Sequence, residues 1–279
     1  MCKATNIFCW LVLSLLLVLG GCSAPGGRDS LPLLSSDVNK VDGQAQVTKI
    51  DVSYSFARSE VTLHEPVMLN FTVKNHLAQA VNLDLGADRK RNFIFTIKQP
   101  DGKTIQLPQL RREGTSRIGR VTVDPGQTYT QEILLNEWYE FPISGKYELS
   151  ARLAKPIQNS AGAINEPAEF HATLDVQPRD AEHLEQIAAG LAKQVTASSS
   201  YEEAAQAALK LSYINDQAAV PYMGKVLSAD HMVEPIVIAG LERVGGKEAI
   251  QVLTDTSERQ QGETAKLALA ALERIKNKN

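Results

Sequence analysis

Beyond Cys22 the chain has no cysteine at all. Cys2, Cys9 and Cys22 lie within the first 22 residues, so the remainder can form neither an internal disulfide nor a thiolate zinc site. A dominant charge sign is missing too: net charge is −3, with 22% charged and 43% hydrophobic residues. That balance suits folded soluble domains, argues against composition-driven disorder, and gives no basic excess for nucleic acid. No apolar run reaches the ~20 residues of a spanning helix. The 279 residues suffice for two ordinary domains.

Motifs of chemistry are also lacking. There is no Gly-x-Ser-x-Gly elbow, no P-loop and no dinucleotide fingerprint. His64, His76, His171, His183 and His231 are scattered, with no metal-ligand spacing among them. Asp84 and Asp88 in "DLGADRKR" supply too few oxygens for a metal loop. The expectation is a non-enzyme without metal or cofactor that displays surfaces. A deep pocket holding paired carboxylates or a perturbed histidine would revive the enzyme reading.

What is present begins with an apolar core, "IFCWLVLSLLLVL", Ile7 to Leu19, preceded by Lys3. Thirteen residues of helix rise about 20 Å, short of the ~30 Å hydrocarbon core, as a secretory segment does. Gly20 and Gly21 follow, then Cys22. "LGGC", Leu19 to Cys22, resembles the lipobox of bacterial lipoproteins, with Gly20 where Ala or Ser is more usual. The resemblance implies removal of residues 1–21 as a signal peptide, a diacylglyceryl group on the Cys22 thiol, and acylation (palmitate being typical) of its freed amine. Two or more acyl chains anchor stably; one alone is marginal. In that family Ser23 is not the residue that retains a lipoprotein at the inner membrane. The resemblance therefore implies the outer membrane, facing the periplasm or the surface, wherever the organism has one. The bland alternative, an ordinary signal peptide cut after Ala24, would place Pro25 just past the cut. Residues 22–46 are rich in Ser, Gly, Pro, Asp and Asn and read as a tether of roughly 25–30 Å as a coil.

Residues 47–178 read as short antiparallel strands. "PVMLNFTVKN" alternates Val67, Leu69, Phe71 and Val73 against Met68, Asn70, Thr72 and Lys74, the period of a half-buried strand. "QPDGK", "DPGQ" and "ISGK" are turns. The expectation is two packed sheets. "SGKYEL", Ser144 to Leu149, resembles the Gly-x-Tyr approach to a late strand of immunoglobulin-like domains. That resemblance implies a β-sandwich whose Tyr147 bonds backbone at the corner. Trp138 is expected to pack over one end, a ligand platform being the alternative.

From Pro178 the composition turns helical, with Asp180 as N-cap of a helix Ala181–Val195. Ala204, Ala208, Leu211 and Ile214 form one stripe; Ile238, Leu241 and Val244 recur 30 residues on, and Leu269, Leu272 and Ile275 after a further 31. Pro221 and Pro235 belong near helix starts. "AALKLSYINDQAAVPYMGKVL", Ala207 to Leu227, resembles HEAT-type repeats, with Asn215 where glycine is usual and Gly245 restoring it in the next copy. The implied architecture is multidomain β + α: an immunoglobulin-like antiparallel sandwich over 47–178, then a short HEAT-like α-solenoid over 179–279. So few repeats need a cover, which the first helix and the sandwich flank are placed to give.

Two functional expectations emerge. The first is a membrane-anchored envelope scaffold or assembly factor that binds another protein through these surfaces. The second is a binder of anionic glycan or lipid headgroups. Between Arg89 and Arg120 nine cations face two acids, with Arg89, Arg91, Arg111, Arg112, Arg117 and Arg120 as candidate contacts. Solvated loop charge is the commoner origin of such runs. The anchor is tested by palmitate labelling of cells: the wild-type chain should be labelled and pellet with membranes, and Cys22→Ser should be unlabelled and released. Recovery of the unlabelled wild-type chain in aqueous extract would remove the anchor.

Overall fold

The computed structural model describes residues 50–109, 119–165, 169–229 and 232–278. Cys22, the signal segment and the tether lie outside them, as do Arg111, Arg112 and Arg117. The chain divides near residue 45, and every described residue belongs to the unit beginning at Gln46.

Among the described residues twelve strands precede six α-helices: β1 Ile50–Phe56, β2 Glu60–Thr62, β3 Met68–Asn75, β4 Val81–Asp84, β5 Phe93–Lys98, β6 Thr104–Gln106, β7 Arg120–Val123, β8 Thr128–Leu134, β9 Gly145–Leu153, β10 Ile157–Asn159, β11 Gly162–Asn165 and β12 Phe170–Gln177. They form three ladders, ordered β1-β3-β8, β11-β10-β4-β7 and β2-β12-β9-β5-β6. The expectation of two purely antiparallel sheets is corrected here: a third ladder exists, and β2 runs parallel to β12. The reason is local. Both β2 and β10 are three residues long, too short to show alternation in a sequence, and parallel partners lie far apart in the chain.

Alternation does decide which side of β3, β5 and β9 is buried. Leu69, Phe71 and Val73 of β3 are fully enclosed, facing Phe93, Phe95 and Ile97 of β5 in one apolar core. Aromatic rings knit it: Phe71 meets Phe93 edge-on at 5.0 Å, and Phe95 meets Trp138 edge-on at 5.2 Å. Trp138 is thus a core residue, not a platform. The Tyr147 hydroxyl donates to the Ile143 carbonyl at 2.7 Å, so the expected corner bond is present. Burial pushes the Tyr54 hydroxyl well above its usual range, and among the described residues that oxygen has no partner.

The helices are α1 Ala181–Ala197, α2 Tyr201–Ser212, α3 Val220–Leu227, α4 Glu234–Val244, α5 Gly246–Arg259 and α6 Glu263–Lys278. Asp180 caps α1 by accepting from the His183 N–H, and Ser200 caps α2 by accepting from the Glu203 N–H. Pro221 and Pro235 each sit in the first turn of their helix. Helices α2, α4 and α6 pack in one row, α3 and α5 in another, and α1 lies against α2 and α3.

Two positions of the repeat keep an interval of 30 residues: Ala208, Ile238 and Ala268 are equivalent, as are Leu211, Leu241 and Ala271, and all six are buried. Of the last set expected from the sequence, Ile275 is buried and Leu272 packs partly buried against the helical core, whereas Leu269 gives way to Ala268, because leucine outweighs alanine in the pattern. Leu269 is 52% exposed. Close helix approach favours the small residue: a Cβ on Gly240 of α4 would meet the Ser212 Cα of α2 at 2.7 Å.

Helix α1 contributes Leu184, Ala188, Ala192 and Val195 to the helical core. Leu184 and Val195 together are worth roughly 3–6 kcal/mol of burial at about 1.5–3 kcal/mol each. A fragment of residues 179–279 should melt cooperatively, whereas 201–279, stripped of α1, should show no cooperative transition by circular dichroism. A sharp melt of 201–279 would show that α1 is not needed as cover.

Candidate functional site

The β core and the helical core are separate apolar clusters. Polar contacts join them. The Thr62 hydroxyl donates to the Pro178 carbonyl at 2.6 Å and accepts from the Asp180 N–H at 3.0 Å. Beside it the Glu65 carboxylate, nearly enclosed, accepts from the Thr62 N–H at 2.9 Å and from the Arg58 guanidinium at 2.6 Å, with His183 Nε2 at 3.3 Å. Arg179, in the linker, grips Asp216 in two-pronged fashion through Nε at 2.5 Å and Nη2 at 2.9 Å. Asp216 also accepts the Ala218 N–H, so one carboxylate caps the turn before α3 and fastens the linker. Further along, Lys210 of α2 pairs with Glu132 of β8 at 2.8 Å.

Between these fastenings the two regions stand apart and leave a groove of about 980 Å³. One wall is Met68, Asp88–Lys90 and Tyr129–Glu132; the other is Tyr201, Ala205 and Leu209 of α2 with Ile236, Ala239 and Arg243 of α4. The Arg243 guanidinium lies 3.9 Å from the centroid of the Tyr213 ring and donates to the Ser212 carbonyl at 2.5 Å. Tyr201 is 61% exposed at the rim. Charges in the lining are mixed: Arg89, Lys90, Lys210 and Arg243 stand among Asp88, Glu132 and Glu202.

The loop that carries Asp88 and Arg89 into the groove is held hard. Both residues have left-handed backbone, with φ of 53° and 57°. Asp84 closes the loop by accepting the Gly86 N–H, Asn92 Nδ2 donates to the Asp84 carbonyl, and Gln131 Nε2 of β8 donates to the Arg89 carbonyl at 2.8 Å. Lys90 is ion-paired with the buried Glu137. The Lys155 ammonium beside Asp84 holds that carboxyl below its usual range.

Of the arginines singled out in the sequence, Arg89 lines the groove. Arg91 is exposed, its Cβ close against Gly86, and Arg120 is exposed in register with Asp84. Gly119, next to Arg120, lies close against the Gly86 backbone. These three therefore gather around one loop. Lys98 and Lys103 belong to the β5–β6 hairpin instead, with Lys98 paired to Glu148. Tyr201, Tyr213 and Arg243 do not stand out in the sequence, and only the exposed tyrosine immediately after a helix cap gives a signal. Among the described residues no group of three or more His, Cys, Asp or Glu gathers, and no helix is long and apolar enough to cross a membrane.

No family model matches the chain, and no curated protein matches it. Among solved structures it is similar over 50% of its length to the sporulation control protein Spo0M of Bacillus subtilis, at 11% identity and a TM-score of 0.28, spanning 54% of that chain. A β-glucosidase of Listeria innocua shares 12% identity over 47% of this chain and 16% of its own, with a TM-score of 0.25. The alkylpurine DNA glycosylase AlkC of Pseudomonas fluorescens shares 10% over 46% and 30%, with a TM-score of 0.23. Likenesses this slight carry no argument about fold or function.

The Arg179–Asp216 pair has a pH consequence. The guanidinium holds the Asp216 carboxyl below its ordinary value of 3.8 in the folded chain. A depressed folded pKa contributes stability that is present above the unfolded value and lost as pH falls below it. Arg179→Ala should therefore lower the melting temperature at pH 7 and flatten its decline below about pH 4. Parallel declines for the two proteins would separate acid sensitivity from this pair.

Proposed function

We propose that this chain is a lipid-anchored, non-catalytic scaffold of the bacterial envelope, which holds a protein partner in the groove between an immunoglobulin-like sandwich and a short HEAT-like solenoid. The observation that carries the reading is the groove itself: both regions contribute walls, joined by the Arg179–Asp216 pair outside it and the Lys210–Glu132 pair within its lining. Three features favour the immunoglobulin-like description: the order β2-β12-β9-β5-β6, the opposing β1-β3-β8, and the Tyr147 corner bond. The 30-residue interval, the two helical rows and the prolines at helix starts favour the HEAT-like one.

The anchor enters through the Cys22 lipobox, and with it an outer-membrane address where the organism has that membrane. The mixed charge of the lining favours a protein over a polyanion, since a polyanion would meet three carboxylates along the same walls. The second reading, an anionic glycan or lipid headgroup, is favoured by the gathering of Arg89, Arg91 and Arg120 around the Gly86 loop.

Photo-crosslinking in intact cells distinguishes them. A photoreactive residue replacing Tyr201 should give discrete protein adducts, and one replacing Lys193, exposed on α1, should give none. Equal adduct patterns from the two positions would defeat the groove as the partner site.

A further inference from the structure

We infer that the groove partner binds as an extended segment adding a strand to the free edge of β8. This rests on the scaffold reading and specifies how that partner is held. Among the described residues strand β8 pairs only with β3, and the register fixes which of its groups are left over. Asn75 N–H donates to the Gln127 carbonyl, and Leu135 N–H donates to the Val67 carbonyl, so the hydrogen-bonded pairs fall on odd positions of β8. Thr128, Thr130 and Glu132 then aim their N–H and C=O groups away from β3. Among the described residues no backbone or side-chain group meets them there.

Placement of this edge is the second observation. Tyr129, Thr130, Gln131 and Glu132 all line the groove, side chains of both faces together, as they do where a cavity runs along a strand's edge. Strand β8 is seven residues long, so the edge extends about 20 Å, enough for a peptide of five or six residues.

Walls stand on both sides of the added strand's place. Gln131 ties the Asp88–Lys90 loop to one side, and Lys210 ties α2 to the other through Glu132. Alternate side chains of an added strand would face Ala205, Leu209, Ile236 and Ala239, which are apolar or small; the intervening ones would face Tyr129, Gln131 and Arg89. The chemistry recognised is an extended peptide with apolar residues at every second position, held by main-chain hydrogen bonds. Near-balanced charge in the lining suits such a backbone-dominated partner.

Phage-displayed random nine-residue peptides, selected on the full chain, test this. Selected sequences should alternate apolar with polar residues, and hydrogen exchange should slow at the Thr130 and Glu132 amides when a selected peptide binds. Thr130→Pro removes an N–H that the β3 ladder does not use and blocks an incoming strand. It should weaken that peptide about tenfold or more. Equal affinity for Thr130→Pro, unchanged exchange at both amides in the wild-type chain, or failure to select any peptide would overturn strand addition. The exchange measurement decides even where the proline variant does not fold. Tyr201 adducts that persist in cells carrying Thr130→Pro would refute strand addition and leave the scaffold standing; absence of adducts in the wild type would remove the scaffold itself.

Discussion

The groove between the two regions depends on a polar joint between two apolar cores. Had the cores fused, burial would lock the regions together and leave no groove. Instead Thr62, Glu65, Arg179 and Asp216 hold the linker from both sides, in directional contacts that resist rotation as well as separation. A carboxylate as enclosed as Glu65 is costly unless several donors meet it. The Thr62 N–H and the Arg58 guanidinium do so, with the His183 ring close by. Removing one partner of such a group costs more than the pair contributes in excess, because the other is left buried and unsatisfied. The joint therefore tolerates little change, whereas the groove walls, being exposed, can vary with the partner.

How much of this was legible in the sequence differs by level. Long strands were visible because burial on one side imposes a period of two, as in Leu69, Phe71 and Val73. Helix starts were visible because caps and prolines act locally, as at Asp180, Pro221 and Pro235. The last repeat misleads in part: Ile275 is buried as its pattern has it, but Ala268 and Ala271 are buried while Leu269 is exposed. Hydrophobicity alone favours the wrong residue there. Neither β2 nor its parallel pairing with β12 could be found, since three residues carry no period and the pairing spans more than a hundred positions. The groove was invisible for the same reason: its walls come from segments brought together only by the joint.

Charge shows the limit of reading runs. The cations after Arg89 look like one patch in the sequence, yet a hairpin turn reverses the chain and sends them to different places. Lys90 is consumed by Glu137 and Lys98 by Glu148, so a count of residues overstates what is offered to a ligand. Two glycines bring Arg89, Arg91 and Arg120 to one loop: Gly86, at φ 71° where other residues are strained, leaves room for Arg91, and Gly119, lacking a Cβ, approaches the Gly86 backbone.

Open strand edges are ordinarily a hazard, because each is a template for another copy's edge, and proteins blunt them with charge, brevity or cover. Here β6 conforms to that practice by being three residues long. Strand β8 is seven residues long and carries a single charge, Glu132, already engaged by Lys210. Its protection is geometric. The strained Asp88–Lys90 loop stands on one side and α2 on the other, walls that would obstruct another copy's sheet. A single strand, requiring only the width of one backbone with its side chains, meets no such obstacle. In the proposed mode of binding, the walls that shield the edge from self-association are also the walls that would select its partner, and both are held at their distance by the joint.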